Sequence, residues 1–200
     1  MVKKFLLIST FLIAILFIVA YSLFYFKPTN SITFNTSNLK NGDLILRCGK
    51  STESFAVYTA DKNAEFTHIG LIVFENTKPF VIHAVPHKNH VLKKETIQEF
   101  LKPKNASKYA IYRSNLSPEK QHLITSEALN FFNKKIIFDN HYNLDTNNEM
   151  YCTELILKTY KKANIQLDLK TKELNFLVGK HQIIFPSEFT KFPFKKVNIN

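Results

Sequence analysis

Cys152, His68 and His83 are the residues of this 200-residue chain whose types and spacing suit nucleophilic chemistry. Cys152 stands in "NNEMYCTELILKTYKKA", where a polar loop runs into a helical pattern. Leu155, Ile156, Thr159, Tyr160 and Ala163 recur at helical spacing, and Lys158, Lys161 and Lys162 lie off that face. The spacing predicts a helix that starts at or just after Cys152. Free backbone N–H groups and the helix dipole at such a start lower a thiol pKa and can hold an oxyanion. Glu154, in the first turn, opposes this with a negative charge of its own. The same pattern equally suits a small apolar cysteine packed in a core.

A thiol nucleophile needs a base within hydrogen-bond reach, and the base needs an orienting group. His68 opens the apolar run of "THIGLIVF", and His83 lies in "FVIHAVP". A hairpin with a two-residue turn at Glu75-Asn76 makes them direct cross-strand partners. Any other register of the same parity still keeps them on one face. The bland alternative is one satisfied core histidine and one incidental one. His83, His87 and His90 offer a conceivable metal set, but Pro86 interrupts any helix that would align them and no carboxylate pattern completes it. The reading therefore requires neither metal nor organic cofactor. His122, His141 and His181 read as surface or structural residues.

These side chains need a scaffold. Asn41-Gly42-Asp43 turns into a strand at "DLILRC", and "STESFAVYTADKN" reads as a helix of two or three turns. "THIGLIVFENTKPFVIHAVP" reads as two strands joined near Glu75–Pro79. Ile69, Leu71 and Val73 on one face of the first strand, with Ile72 and Phe74 on the other, argue for a sheet covered on both sides. "KKETIQEFL" reads as a short helix and "KYAIYR" as a strand. "LSPEKQHLITSEALNFFNKK" is the clearest helix, with Ser117 as N-cap and Pro118 at its first position. The expected class is α+β, an antiparallel sheet packed by helices.

The N-terminal stretch Phe5–Phe26 is 22 residues long and carries no charge. At about 1.5 Å per residue it is long enough to span a bilayer core of about 30 Å. Lys3 and Lys4 before it favour a cytoplasmic N-terminus. The rival is a cleaved signal peptide, whose apolar region is usually shorter and ends at small residues, unlike "VAYSLFYF". The expected organisation is a transmembrane anchor over 1–26, a juxtamembrane linker over 27–40 and a catalytic domain over 41–200. That domain would lie outside the cytoplasm, in a periplasm or at the cell surface.

Beyond Phe26 there are 25 basic residues against 16 acidic ones, a balance of +9. Nearly all are dispersed lysines, and only Arg47 and Arg113 offer forked guanidinium contacts. No basic stripe with stacking groups stands out, so nucleic acid is not the expected partner. Attraction to anionic lipid fits this charge beside an anchor, and so does an ordinary solvated surface. A domain of this size does not need a disulfide, and a bridge between the two cysteines would block Cys152. Both are expected as free thiols.

The segments "GDLIL", "FTHIGLIVF", "FVIHAVP", "FDNHYNLD" and "YCTELI", in that order, resemble the circularly permuted papain-like branch of the NlpC-type hydrolases. These are amidases related to the lecithin retinol acyltransferase group. The resemblance covers most of residues 40–190, and "YCTELI" and "THIG" are its most specific parts. It implies a permuted papain-like fold with the nucleophile at a helix start. Cys152 then matches the nucleophile, His68 the base, and His83 the orienting position, which is often a carboxylate in close relatives. Tyr151 matches the aromatic residue that walls the substrate site. The implied reaction is attack on an amide or ester through an acyl-thioester, with hydrolysis or transfer to follow. A lipid-type or small amide substrate is favoured over cell-wall peptide because no wall-binding repeat is present. The alternative is a catalytically silent, membrane-anchored binding domain of the same fold.

Overall fold

The computed structural model describes residues 2–25, 36–62, 64–86, 92–176, 179–191 and 193–198. Helix α1 spans Val2–Tyr25. Its side chains are described over residues 11–22, where Phe11, Leu16, Phe17 and Ile18 are exposed. Among the described residues no helix is long and apolar enough to cross a membrane. Part of the Phe5–Phe26 stretch lies outside them.

Strand β1 (Leu44–Gly49) begins two residues after Gly42, whose φ of +81° suits the turn. Asp43 is fully buried and takes a forked pair of bonds from Arg113, Nε to Oδ1 at 2.6 Å and Nη2 to Oδ2 at 2.7 Å. That pair ties the start of β1 to β5 (Ala106–Ser114), its antiparallel neighbour. Between them in the chain come α2 (Thr52–Ala60), β2 (His68–Glu75), β3 (Lys78–His83), β4 (Lys93–Thr96) and α3 (Ile97–Phe100). After β5 follow α4 (Pro118–Asn133), the short parallel pair β6 (Ile137–Phe138) and β7 (Glu149–Met150), and α5 (Cys152–Lys162). The hairpin β8 (Thr171–Phe176) and β9 (Gly179–Ile184), a 3-10 turn at Pro186–Thr190 and β10 (Phe194–Val197) complete the chain.

The main sheet has six strands in the order β10-β5-β1-β2-β3-β4, antiparallel throughout. Alternation along the strands splits its side chains between two cores, as the two apolar faces of β2 require. Leu46, Ile69, Leu71 and Ile82 pack with Ile124 and Ala128 of α4 and Leu155 and Ile156 of α5. Ile45, Ile72 and Val81 pack on the other side with Ile97 and Phe100 of α3. Each such fully buried Leu or Ile contributes about 1.5–3 kcal/mol. The expected α+β arrangement, a large antiparallel sheet packed by helices, is thus observed.

Two local expectations need correction. The β2–β3 turn falls at Asn76 and Thr77, whose positive φ values of 47° and 70° suit a tight hairpin, and not at Glu75-Asn76. The register Leu71↔Ile82 then moves His83 opposite Gly70, so His83 is a diagonal neighbour of His68 on the same face. The stretch "KKETIQEFL" is not helical throughout: Lys93–Thr96 pairs with β3, and the helix starts only at Ile97. Thr96 caps that helix by accepting a bond from the Glu99 N–H.

Candidate active site

The sequence folds so that four neighbouring strands each bring one polar side chain to one end of the sheet. These are Arg47 on β1, His68 on β2, His83 on β3 and Glu95 on β4. His68 is the first residue of its strand and His83 the last of its own. His68 Nε2 lies 2.8 Å from His83 Nδ1. His83 Nε2 in turn lies 3.0 Å from Glu95 Oε1. Phe100 of α3 floors the row: His68 stacks on its ring, His83 meets it edge-on, and the Arg47 guanidinium lies over it at 4.2 Å.

Gly70 makes this closeness sterically feasible. A Cβ there would come within 2.4 Å of Val81 Cγ1 and 3.2 Å of His83 Cβ. The "THIG" motif therefore pairs a histidine with the glycine that admits the next strand's histidine.

Cys152 is the first residue of α5, with Tyr151 extended as its N-cap. The amphipathic pattern holds, since Leu155, Ile156, Thr159 and Tyr160 are all buried. Thr153 Oγ1 donates to the Ile184 carbonyl at 2.7 Å, and the Ile184 N–H donates to Tyr151 Oη at 3.2 Å. Strand β9 is thereby clamped onto the helix start. Glu154 takes the Tyr151 N–H and pairs with Lys158, so its charge is engaged inside the fold. Burial still pushes the Glu154 carboxyl up to about 7, which weakens the opposition expected of it.

Cys152 and His68 line one cavity, together with Arg47, Tyr142, Tyr151 and Ile184. Its empty volume is about 570 Å³, open mouth included. Most other lining groups are apolar, among them Val57, Ala84, Phe138 and Phe185. Tyr142, from the "FDNHYNLD" segment, leans on Tyr151 with ring centroids 5.3 Å apart. Its loop is set by Asp139, which accepts the His141 and Asn143 N–H groups.

Electrostatics at the site differ from the sequence expectation. Burial pushes the Cys152 thiol up to about 11, although the backbone N–H groups of Ile69 and Thr153 favour its thiolate. Desolvation outweighs the helix start. The same burial, with Arg47 next in effect, holds His68 well below its usual value, and His83 falls to about 4. Burial pushes the Glu95 carboxyl up, but the facing His83, with Arg47 and Lys93 nearby, draws it below its usual value overall. At neutral pH the site holds a thiol, two neutral imidazoles and a carboxylate.

The structure thus brings together all four residues singled out by sequence, Cys152, His68, His83 and Tyr151, though His83 bonds His68 and does not line the cavity. It adds Glu95 and Arg47. Glu95 was hidden inside a stretch read as helix. The Thr96-Ile97-Gln98-Glu99 capping pattern was the available signal that the helix begins later. Arg47 was visible as a lone charge in an apolar strand. Cys48 and Cys152 are both free. His87 and His90 lie outside the described residues.

Residues 38–188 match the family model described as permuted papain-like amidase enzyme, YaeF/YiiX, C92 family. A protein of Escherichia coli K12 named uncharacterized protein YiiX is 27% identical over 126 residues, which is 62% of this chain and 58% of that protein. The chain's match therefore spans little more than half of that relative's length. A crystal structure titled metalloprotein yiiX, from Escherichia coli O157:H7, shares the fold, with a TM-score of 0.67 at 20% identity, over 80% of this chain and 97% of that one. Among the described residues here, no three His, Cys, Asp or Glu side chains stand together as metal ligands. His83 also turns Nδ1 to His68 at 2.8 Å and Nε2 toward Glu95 Oε1 at 3.0 Å, which leaves that ring no open edge, so the row does not fit a metal ion.

Proposed function

This chain belongs to the permuted papain-like amidase family, a family of cysteine hydrolases acting on amide bonds, and on that premise we propose that Cys152 is its nucleophile, His68 its base and His83 with Glu95 the support of that base. The observation that carries the reading is the polar chain His68–His83–Glu95, with contacts of 2.8 Å and 3.0 Å, running from the cavity that also holds Cys152.

The chain dictates its own tautomers. An ionised Glu95 can only accept, so His83 Nε2 carries the proton. Neutral His83 then accepts at Nδ1, and His68 must donate from Nε2. His68 Nδ1 is left as the single basic nitrogen. It takes the thiol proton as sulfur attacks the carbonyl carbon, a coupled step that needs no resting thiolate. The imidazolium formed on His68 is stabilised through neutral His83 toward the Glu95 carboxylate. Backbone N–H groups at the start of α5 receive the tetrahedral oxyanion. His68 next protonates the departing amine or alcohol, leaving an acyl-thioester on Cys152. Water, or another acceptor, releases the acyl group and restores the thiol.

The apolar cavity lining favours a lipid-type or small amide or ester substrate over cell-wall peptide. The uncharged Phe5–Phe26 stretch after Lys3 and Lys4 is the sequence feature that supports anchorage in a membrane with the domain on the outer side, while no described helix is long and apolar enough to cross one. Transfer to an acceptor other than water is the related outcome, given the acyltransferase kinship.

The test uses the full chain in detergent micelles with two substrates, a fatty-acyl amide and a short wall-type peptide. Turnover of the fatty amide that vanishes in Cys152→Ala supports the reading. Turnover of the peptide alone rejects the lipid-type substrate. No turnover of either would leave the fold as a silent binding domain.

A further inference from the structure

We infer that Arg47 recognises a carboxylate, and that the amides entering this cavity carry that carboxylate close to the scissile bond. The inference rests on the hydrolase reading above and narrows its substrate class to acylated amino acids.

Arg47 sits directly opposite His68 in the β1–β2 ladder and lines the cavity with Cys152. Its Nη1 donates to the Phe100 carbonyl. Its Nε is buried and has no hydrogen-bond partner. The other arginine, Arg113, is fully forked onto Asp43. Arg47 forms no ion pair among the described residues. Glu95, the carboxylate that acts on it through space, gives Oε1 to His83. Cys152 and both histidines are neutral at rest, so they supply no counter-charge.

A guanidinium held by one carbonyl, with its Nε buried and unpartnered, is costly, because that edge has given up water and received no anion in return. Burial draws Arg47 down only to about 10, so it stays charged at neutral pH. The anion it lacks arrives with the substrate. The Nε and Nη2 edge of an arginine matches the two oxygens of a carboxylate, and a lysine ammonium does not. Glu53 also lines the cavity, but it is exposed on the first turn of α2, where water screens it. The remaining wall is largely apolar and suits the acyl chain.

For such a substrate the step balances simply. The Cys152 sulfur bonds the acyl carbon while the carbon–nitrogen bond breaks. The thiol proton passes through His68 to the amine of the amino acid, and water then yields the free fatty acid.

N-decanoylglycine and its uncharged counterpart N-decanoylglycinamide test this. Wild-type full chain in micelles is expected to favour the carboxylate by at least about tenfold in kcat/KM, the lower end for a charge-assisted fork. Arg47→Gln is expected to erase the preference through KM, and Arg47→Lys to restore part of it. Equal kcat/KM for both substrates in wild type, or an undiminished preference in either variant, overturns the inference. Calorimetric binding to Cys152→Ala separates recognition from chemistry. Preferential binding of N-decanoylglycine that is lost on adding Arg47→Gln supports the inference even if wild type turns over neither compound, an outcome that rejects the hydrolase reading alone. Equal binding of the two compounds overturns the inference whatever the turnover.

Discussion

His68 Nε2 meets His83 Nδ1 at 2.8 Å, and the other nitrogen of His83 meets Glu95. A histidine pair backed by a carboxylate does in two links what a single acidic orienter does in one. It fixes the tautomer of the base and gives its transient positive charge a distant partner. The proposed mechanism follows from that relationship.

Removing the links should therefore act on turnover in order of distance from the sulfur. His83→Ala should lower kcat by about 10²-fold, the lower end for an acid–base group, with KM nearly unchanged. Glu95→Gln keeps an acceptor but loses the charge, so a drop of roughly tenfold is expected. Steady-state kinetics on one amide substrate read both. A Glu95→Gln loss larger than that of His83→Ala would reverse the assigned order.

Stability should fall in acid ahead of the carboxylates. His83 has its folded pKa at about 4 against an ordinary 6.5, and His68 is shifted the same way. Between those limits the unfolded chain binds protons that the folded chain refuses. The histidine contribution is then complete above about pH 6.5 and declines as pH falls toward 4, by at most about 1.4 kcal/mol per pH unit for each histidine, while Glu154, raised to about 7, acts in the opposite sense over that range and offsets about one of them. Glu95, depressed as well, adds a further loss only below the ordinary carboxylate value. Urea unfolding at several pH values measures this. The double variant His68→Ala/His83→Ala should remove this decline between pH 6.5 and 4.

Gly70→Ala should damage both fold and site. Its Cβ would stand 2.4 Å from Val81 Cγ1, so β3 has to shift. Overpacking of this kind costs about 1–3 kcal/mol. Because β3 carries His83, activity should fall further than Val81→Ala alone causes. Urea midpoints and kcat measured together would show whether the two losses coincide.

Alkylation of Cys152 should rise late with pH. Its thiol is pushed up to about 11, so iodoacetamide labelling of the folded chain should keep increasing beyond the free-thiol value of about 8.5. A plateau near pH 6 would mean a resting thiolate–imidazolium pair. That outcome would replace the coupled proton transfer with a preformed ion pair.

Much of this site was legible in particular residues. Leu155, Ile156, Thr159 and Tyr160 announced the helix that begins at Cys152, because one buried face fixes its phase. Parity put His68 and His83 on one face, since strand side chains alternate strictly. Their actual offset depended on which two residues take positive φ, and Asn76-Thr77 does so where composition alone did not choose. Glu95 was missed because "KKET" has no apolar alternation; β4 is an edge strand whose pairing is dictated by β3. The hairpin Thr171–Ile184 was likewise unread, although it supplies Ile184 to clamp Tyr151 and Thr153. The thiol's direction of shift was misjudged because sequence shows a helix start but not how deeply the surrounding chain buries it.

The central claim is that Cys152 is acylated with the help of His68. Intact-mass spectrometry of the full chain in micelles, quenched in acid seconds after addition of decanoyl-p-nitroanilide, tests it most directly. The account predicts one decanoyl group per chain, mapped to Cys152, absent in Cys152→Ala and slowed by about 10²-fold or more in His68→Ala. A decanoyl group on another residue, or acylation of His68→Ala at the wild-type rate, would contradict it.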